Sequence, residues 1–261
     1  MKLYQRTGLL ATLALALLSF SFRFGPQGTQ GSVTYVVIDP GHGGRDPGAL
    51  GKIKHEKDLT LRLSLAVEKL IKKNAPHVKI ELTRRTDKFV RLADRAEVAN
   101  KHGADLFISI HYNAANSSAA HGTETFAMGT HKNDGQLDVM IRENSAILLE
   151  ENHEETYNGF DPTSEEATII FKLQQHAFLK QSLQLAALIE DQMKAQTKRS
   201  SRGVKQAGFL VLWRTTMPAV LFEGGFISNA AEEKFVNSAE GLRAQSMALY
   251  RAIMQYRNID S

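Results

Sequence analysis

Three apolar runs in this chain each lead to a side chain that can bind a metal ion or transfer a proton. The runs are Val36–Ile38, Leu106–Ile110 and Ala219–Phe222, and the side chains that follow them are His42, His111 and Glu223. Short continuous apolar runs are typical of parallel strands that are buried on both faces. In open α/β sheets, ligands bind just beyond the carboxyl ends of the strands. The sequence therefore predicts one site, assembled from three strand ends and suited to a zinc hydrolase.

The order of the segments predicts the fold class. Stretches with apolar residues at helical spacing, such as Leu59, Leu63 and Val67, lie between the apolar runs. Strands that alternate with helices in this way predict an α/β domain built on a doubly wound sheet. The predicted strands are 33–38, 78–83, 106–110, 123–128, 207–212 and 218–223, and the predicted helices are 57–74, 92–102, about 167–197 and 230–256.

The N-terminus has the pattern of an export signal. Lys2 and Arg6 precede the apolar run Leu9–Leu18, and cleavage after Ser21 would place small residues at the cleavage site. This pattern predicts a signal peptide at residues 1–21. The alternatives are a short buried helix and an uncleaved anchor, although the run is short for a membrane span. We expect an exported protein of the periplasm or cell envelope that has no stable membrane span after cleavage.

We expect residues 22–32 to be a flexible lead and residues 33–258 to be one catalytic domain.

Charge and composition exclude several classes of function. The formal net charge of +4 would fall to +2 once Lys2 and Arg6 were removed with the signal. Because this balance is nearly neutral, we expect no nucleic-acid partner. The absence of cysteine excludes disulfides, thiolate zinc sites and a cysteine nucleophile.

His42 and His111 are the histidines best placed to bind a metal. His42 lies in the motif Asp39–Gly44, where glycines on both sides leave the imidazole uncrowded. We predict that Asp39 orients His42, because zinc-bound histidines usually need a hydrogen-bonded partner. A phosphate-binding loop is the weaker alternative, since no Gly-Lys-Ser/Thr follows. His111 ends a buried strand, and the alternative for either histidine is an ordinary structural role.

Two glutamates complete the candidate set. Glu56 lies where the first long helix begins, and it could be a third metal ligand that leaves a fourth position open to water. His55 competes for this role, and spacing alone does not choose between them. Alternatively, Glu56 only stabilises the helix N-terminus. Glu223 ends an apolar run, where a carboxylate is costly unless it is bound or functional. It suits a general base and acid beside the metal, with a structural salt bridge as the alternative.

Five motifs, in this order, resemble the zinc-dependent N-acetylmuramoyl-L-alanine amidases of the type 3 family. They are Asp39–Gly44, Glu56–Asp58, Thr83–Asp87 with Leu92 and Arg95, Ser109–Ala114, and Glu223–Asn229. The resemblance covers essentially the whole chain from Val33 onward. It implies a single α/β domain with a mostly parallel, twisted sheet of about six strands, flanked by helices on both faces.

The resemblance also implies a role for each candidate residue. It implies that His42, Glu56 and His111 bind one zinc ion, which favours Glu56 over His55, and that Glu223 is the catalytic glutamate. The implied reaction cleaves the amide bond between N-acetylmuramic acid and L-alanine in peptidoglycan, during cell-wall remodelling or daughter-cell separation. Two rival hypotheses are a zinc hydrolase that acts on another amide or ester, and a non-catalytic peptidoglycan-binding protein.

Two features depart from the family pattern. Gly224 stands where the family usually has threonine or another residue with a side chain, which predicts a looser turn after Glu223. Residues 130–168 form a long, polar and acid-rich insertion that contains a loop signature at Tyr157–Pro162. We hypothesise that residues 135–170 cover the zinc site, that one acidic side chain occupies the open zinc position, and that an activator protein displaces the segment. The sequence does not identify this acid. The alternative is a wall of the substrate groove or a family-specific loop.

Overall fold

The structure, a computed structural model, describes residues 33–161 and 177–259 of the chain. The predicted signal peptide (1–21), the predicted lead (22–32) and residues 162–170 of the insertion therefore lie outside the described residues. The two described ranges form an α/β domain around one six-stranded sheet.

The sheet is mostly parallel. Its strands are β1 (Tyr35–Pro40), β2 (Lys79–Leu82), β3 (Leu106–Asn113), β4 (Thr123–Met128), β5 (Ser201–Ala207) and β6 (Ala219–Phe226). Their order across the sheet is β2-β1-β3-β6-β4-β5. All neighbours pair in parallel except β4 and β6, which are antiparallel. The predicted fold class, with about six mostly parallel strands, is confirmed.

Helices cover both faces of the sheet. They are α1 (Glu56–Asn74), α2 (Leu92–Lys101), α3 (Asp134–Asn144), α4 (His153–Thr156), α5 (Leu179–Thr197), α6 (Leu210–Trp213), α7 (Ala230–Asn237) and α8 (Ala239–Ile259). One apolar core lies between the sheet and helices α1, α5 and α8. A second core lies on the opposite face, beneath α2, α3 and α6. Among the described helices, none has the length and apolar character needed to cross a membrane.

Three predicted segments differ from the structure. The predicted strand at 207–212 is wrong, because its apolar residues form the short buried helix α6, and periodicity does not separate a short buried helix from a buried strand. The sixth strand is instead β5, whose polar sequence and half-exposed residues are those of a sheet edge. The predicted helix at 230–256 is two helices that meet at Ser238.

The described part of the insertion is largely helical. It contains α3, a short 3-10 helix at Ser145–Leu149, and α4. The side chain of Asn133 caps α3 by accepting a hydrogen bond from the backbone N–H of Gln136. Apolar residues of α3 join the second core, so this helix packs on the sheet face in this structure.

Two buried arginines support the strand end that leads to His42. Arg95 donates to Asp39 Oδ1 at 2.9 Å and to the carbonyl oxygens of Pro40 and His42. Burial opposes a charged carboxyl group at Asp39, but Arg95 and two hydroxyl donors outweigh it and lower the pKa of Asp39. Arg84 donates to the carbonyl oxygens of Pro40 and Gly41. The prediction that Asp39 orients His42 is therefore wrong, because this carboxylate pairs with Arg95.

We expect the substitution Asp39→Ala to destabilise the protein strongly. It would leave the guanidinium of Arg95 buried without its anion, and breaking such a pair typically costs about 3–5 kcal/mol. The control is Asp94→Ala, which removes the same charge from an exposed pair with Arg91 and should cost about 1 kcal/mol or less. Urea unfolding measures both values. Equal losses of unfolding free energy would contradict the assignment of Asp39 as the structural support of this strand end.

Candidate metal centre and active site

Four buried side chains converge at the carboxyl edge of the sheet. His42 follows β1, Glu56 begins α1, His111 lies near the end of β3, and Glu143 lies in the last turn of α3. One ligand atom from each side chain lies within 4.8 Å of the others. The structure thus brings together the three predicted metal ligands, and it adds a fourth residue from the insertion.

The backbone around His42 is shaped to present its ring. His42 has a left-handed φ of 58°, a conformation that costs free energy for a residue with a side chain. Its Nδ1 donates to Asp46 Oδ2 at 2.8 Å, which leaves Nε2 facing the cluster. A Cβ atom on Gly48 would lie 2.6 Å from the His42 ring. Asp46 therefore orients the His42 ring, the role that the sequence had predicted for Asp39.

Glu56 is held in place by two backbone donors. Its Oε2 accepts from the N–H of Ala49 at 2.8 Å, and its Oε1 accepts from the N–H of Tyr112 at 2.9 Å. Its carboxylate is completely buried at the N-terminus of α1. The neighbouring His55 is exposed and lies outside the cluster. The structure therefore brings Glu56, and not His55, to the site.

The donor atoms of the cluster fit a metal ion better than they fit one another. His42 Nε2 lies 3.1 Å from both Glu56 Oε1 and Glu143 Oε2, and His111 Nδ1 lies 3.0 Å and 2.9 Å from the same oxygens. His42 Nε2 and Glu143 Oε2 are nevertheless buried without a hydrogen bond. Ligand atoms in a tetrahedral zinc site are separated by about 3.3 Å, given bonds of about 2.0–2.1 Å. Two imidazoles and two carboxylates at this spacing can hold a metal cation.

The electrostatics of the cluster also favour bound positive charge. Burial disfavours a charged imidazole at His42, but the carboxylates of Glu56 and Glu143 outweigh it and raise its pKa well above the ordinary value. For His111, Glu143 likewise outweighs burial and raises the pKa to about 9. The two carboxylates thus hold positive charge in the pocket, either as protons on the imidazoles or as a metal cation.

Glu223 lies beside the cluster in the centre of the sheet. It is completely buried, and it pairs in register with His111 on one side and with Glu124 on the other. Neither of its carboxylate oxygens has a hydrogen-bond partner among the described residues. Burial raises the pKa of Glu223 well above the ordinary value, and the nearby Glu143 raises it further. A carboxyl group with a raised pKa can both accept and donate a proton near neutral pH.

Gly224 is not part of a loose turn, so this expectation is wrong. Strand β6 continues through it, and a register shift sets Gly224 and Gly225 opposite the single residue Tyr112. A Cβ atom on Gly224 would lie 2.6 Å from the Tyr112 ring. The carbonyl oxygen of Gly224 accepts from Gln245 Nε2 at 2.5 Å and from Arg199 at 3.2 Å. Glycine therefore makes room for Tyr112 at a bulge that follows Glu223 directly.

The insertion supplies two residues that the sequence analysis did not identify. Glu143 enters the ligand cluster, and the neighbouring Arg142 lies with its Nη2 atom 3.8 Å from Glu223 Oε1. Arg142 also donates to Glu143 Oε1 at 2.9 Å. The only sequence signal for these residues is the helical spacing of Val139, Met140 and Glu143, which puts an acid on the apolar face of α3.

This sheet brings a buried cluster of histidines and glutamates next to a carboxylate that accepts no hydrogen bond from the described residues. Such a layout is typical of a metallohydrolase. Residues 36–255 match the family of N-acetylmuramoyl-L-alanine amidases. The chain belongs to this family, and the enzyme class predicted from the sequence is confirmed.

Individual relatives agree with this assignment. The chain is 34% identical over 230 residues to the N-acetylmuramoyl-L-alanine amidase AmiA of Escherichia coli, covering 87% of this chain and 77% of AmiA. It resembles the solved catalytic domain of the amidase CwlV from Bacillus (Paenibacillus) polymyxa, with a TM-score of 0.62, 28% identity and coverage of 87% and 99%. It also resembles the amidase CwlD of Clostridioides difficile in complex with the GerS lipoprotein, with a TM-score of 0.64, 25% identity and the same coverage.

We expect His111→Ala to reduce the bound metal from near one ion per chain to well below one. The substitution removes one imidazole from a site in which few ligands share the ion. The control His55→Ala removes an exposed imidazole at the start of α1, next to Glu56. It should leave the metal content unchanged. Elemental analysis of the purified, dialysed proteins measures both. Full metal content in His111→Ala would contradict the ligand assignment.

Proposed function

We propose that this protein is a zinc-dependent amidase that cleaves the bond between N-acetylmuramic acid and L-alanine in peptidoglycan. His42, Glu56 and His111 would hold one zinc ion, and Glu223 would be the catalytic glutamate. The observation that carries the proposal is the buried ligand cluster beside a carboxylate without hydrogen-bond partners, in a member of the amidase family. Three protein ligands with one open position are the common arrangement of catalytic zinc.

Each residue has a defined task in this reaction. A zinc ion held by the three ligands would supply Lewis-acid chemistry, activating water and polarising the scissile carbonyl. Glu223 would accept the proton of the attacking water and then donate a proton to the departing alanine nitrogen. Burial raises its pKa, which suits a group that must both take and return a proton. Asp46 would keep the His42 ring in the tautomer that points Nε2 at the ion.

We further propose that the protein works outside the cytoplasmic membrane, in the periplasm or cell envelope. Two independent features support this location. The N-terminal sequence has the pattern of a signal peptide, and peptidoglycan lies outside that membrane. The biological role would be cell-wall remodelling or the separation of daughter cells.

We expect Glu223→Gln to abolish catalysis while leaving the metal bound. Glutamine keeps the size of the side chain but cannot accept and return a proton, so the rate of stem-peptide release should fall by at least about 100-fold. Peptidoglycan digestion followed by chromatography of released peptides measures the rate, and elemental analysis measures the metal. The comparison is made in a Glu143→Ala background, because Glu143 would otherwise occupy the open metal position in both proteins. Undiminished release by the Glu223→Gln variant would contradict the role of Glu223.

We propose that α3 is an inhibitory lid and that Glu143 is the acid that closes it. Glu143 Oε2 lies 2.9 Å from His111 Nδ1 and 3.1 Å from His42 Nε2. It would therefore take the fourth position of the metal, which an attacking water needs. A chain in this conformation would bind zinc without hydrolysing its substrate.

Contacts outside the ligand cluster hold the lid in place. The side chain of Glu150 accepts from the backbone N–H of Leu92 at 2.8 Å and from the hydroxyl of Tyr157. Asn144 bonds to the backbone on both sides of Phe209. These contacts tie the lid to α2 and α6, and no metal ligand takes part in them. An activator protein could displace the lid by breaking them, and the complex of the relative CwlD with a lipoprotein supports a partner protein for this fold.

We expect Glu143→Ala to raise the basal rate of peptide release by at least about tenfold, a factor that corresponds to about 1.4 kcal/mol of lost lid stabilisation. The control Glu151→Ala removes an exposed acid from the same insertion and should not change the rate. Initial rates on purified peptidoglycan measure both. Unchanged or lower activity of Glu143→Ala, with the metal retained, would favour the alternative in which the insertion is a wall of the substrate groove.

A further inference from the structure

We infer that Asn113 Oδ1 and the carbonyl oxygen of Ala114 form a pair of hydrogen-bond acceptors for N–H groups of the substrate's peptide. While the lid is closed, the guanidinium of Arg142 occupies the position of those N–H groups. This inference rests on the proposed function, because it requires α3 to leave the site. It assigns a substrate-binding role to the end of β3, just after His111 in the sequence.

The orientation of the Asn113 amide is fixed by a carboxylate. Asn113 Nδ2 donates to Glu124 Oε1 at 2.6 Å, across the intervening strand β6. A carboxylate only accepts hydrogen bonds, so the NH₂ group of Asn113 must face Glu124. Arg202 and Lys205 both contact Glu124 Oε2, so this buried carboxylate is paired with two cations and held in place. The amide oxygen of Asn113 must therefore point the other way.

Arg142 of the lid satisfies that oxygen. Its Nη2 donates to Asn113 Oδ1 at 3.0 Å, and its Nη1 donates to the carbonyl oxygen of Ala114 at 2.9 Å. Two adjacent N–H donors of one planar group thus fill two adjacent acceptors. When the lid leaves, Arg142 leaves with it, and both acceptors lose their donors together.

The acceptor pair lies beside the reacting groups. The same Nη2 atom that bonds Asn113 is 3.8 Å from Glu223 Oε1, so any donor in its position lies next to the proposed catalytic carboxylate. Asn113 follows His111 by two residues on one strand, and side chains at that spacing share a face. A substrate that presents its scissile amide to Glu223 and His111 would therefore bring its peptide backbone to this pair.

The chemistry of the pair selects the kind of group that it binds. Asn113 is 1% exposed while α3 covers the site, and an acceptor that loses its donor needs a new one. A carboxylate of the substrate would present only acceptors to two acceptors, and it would be repelled. A peptide backbone offers N–H donors at regular spacing, so a stem peptide is a suitable replacement for the guanidinium of Arg142.

The test uses a parent protein in which both lid contacts are absent, the double variant Arg142→Ala with Glu143→Ala. Asn113→Ala is then added to this parent. In the intact chain Asn113 also anchors the lid, but in the parent that function is already gone. The substitution leaves Glu124 paired with Arg202 and Lys205, so no uncompensated charge is created. Steady-state kinetics on a soluble muramoyl peptide separate KM from kcat.

We expect Asn113→Ala to raise KM about tenfold in this parent, with kcat little changed, because loss of a uniform binding contact acts on KM. Metal content and the thermal unfolding midpoint should match those of the parent. Unchanged KM would overturn the inference and leave Asn113 as a lid anchor only. A fall in kcat together with metal loss would overturn it in favour of a structural role. An inactive parent that binds metal would instead count against the proposed function.

A second measurement does not depend on the folding of the Asn113 variant. Methylguanidinium, at a millimolar concentration that does not denature the protein, should bind where the Arg142 guanidinium was removed. It should therefore inhibit the parent competitively against the muramoyl peptide. Tetramethylammonium carries the same charge without N–H donors, so it cannot fill the two acceptors and should not inhibit. Noncompetitive inhibition, or equal inhibition by the two cations, would overturn the inference.

Discussion

Buried negative charge at one edge of the sheet is the constraint on which the rest of this structure depends. Glu56, Glu143 and Glu223 are all buried there, and isolated carboxylates in such a place are costly unless cations or hydrogen bonds compensate them. Two imidazoles and the guanidinium of Arg142 supply part of the compensation. A metal cation would supply the rest. The same ion would then stabilise the fold, by neutralising buried carboxylates, and take part in the reaction.

In the proposed function, the helix α3 combines regulation and substrate recognition in one element. Its adjacent residues Arg142 and Glu143 satisfy different halves of the site, since Glu143 faces the metal ligands and Arg142 faces the acceptors after His111. The ion pairs and hydrogen bonds of these two residues would offset part of the cost of closing the proposed lid over a buried site. Opening of the lid would expose the metal position and the acceptor pair together, so that a substrate would replace both contacts.

Much of the fold could be predicted because its signals are local. The apolar runs of β1, β3 and β6 gave strand positions close to those observed, and the apolar spacing in α1 located that helix within one residue. The polar edge strand β5 was missed and α6 was predicted as a strand, since an edge strand carries little apolar pattern and a short buried helix has no distinctive period. In both segments, tertiary packing decided the outcome.

The sequence by itself determined the candidate residues His42, Glu56, His111 and Glu223, because strand ends and family motifs are written in consecutive residues. Only the tertiary structure decided which partners these residues have. Asp46 rather than Asp39 orients His42, and Glu143 rather than another acid of the insertion reaches the cluster. Such choices depend on distances between segments far apart in the chain, which the packing of helices on the sheet sets and no local pattern encodes.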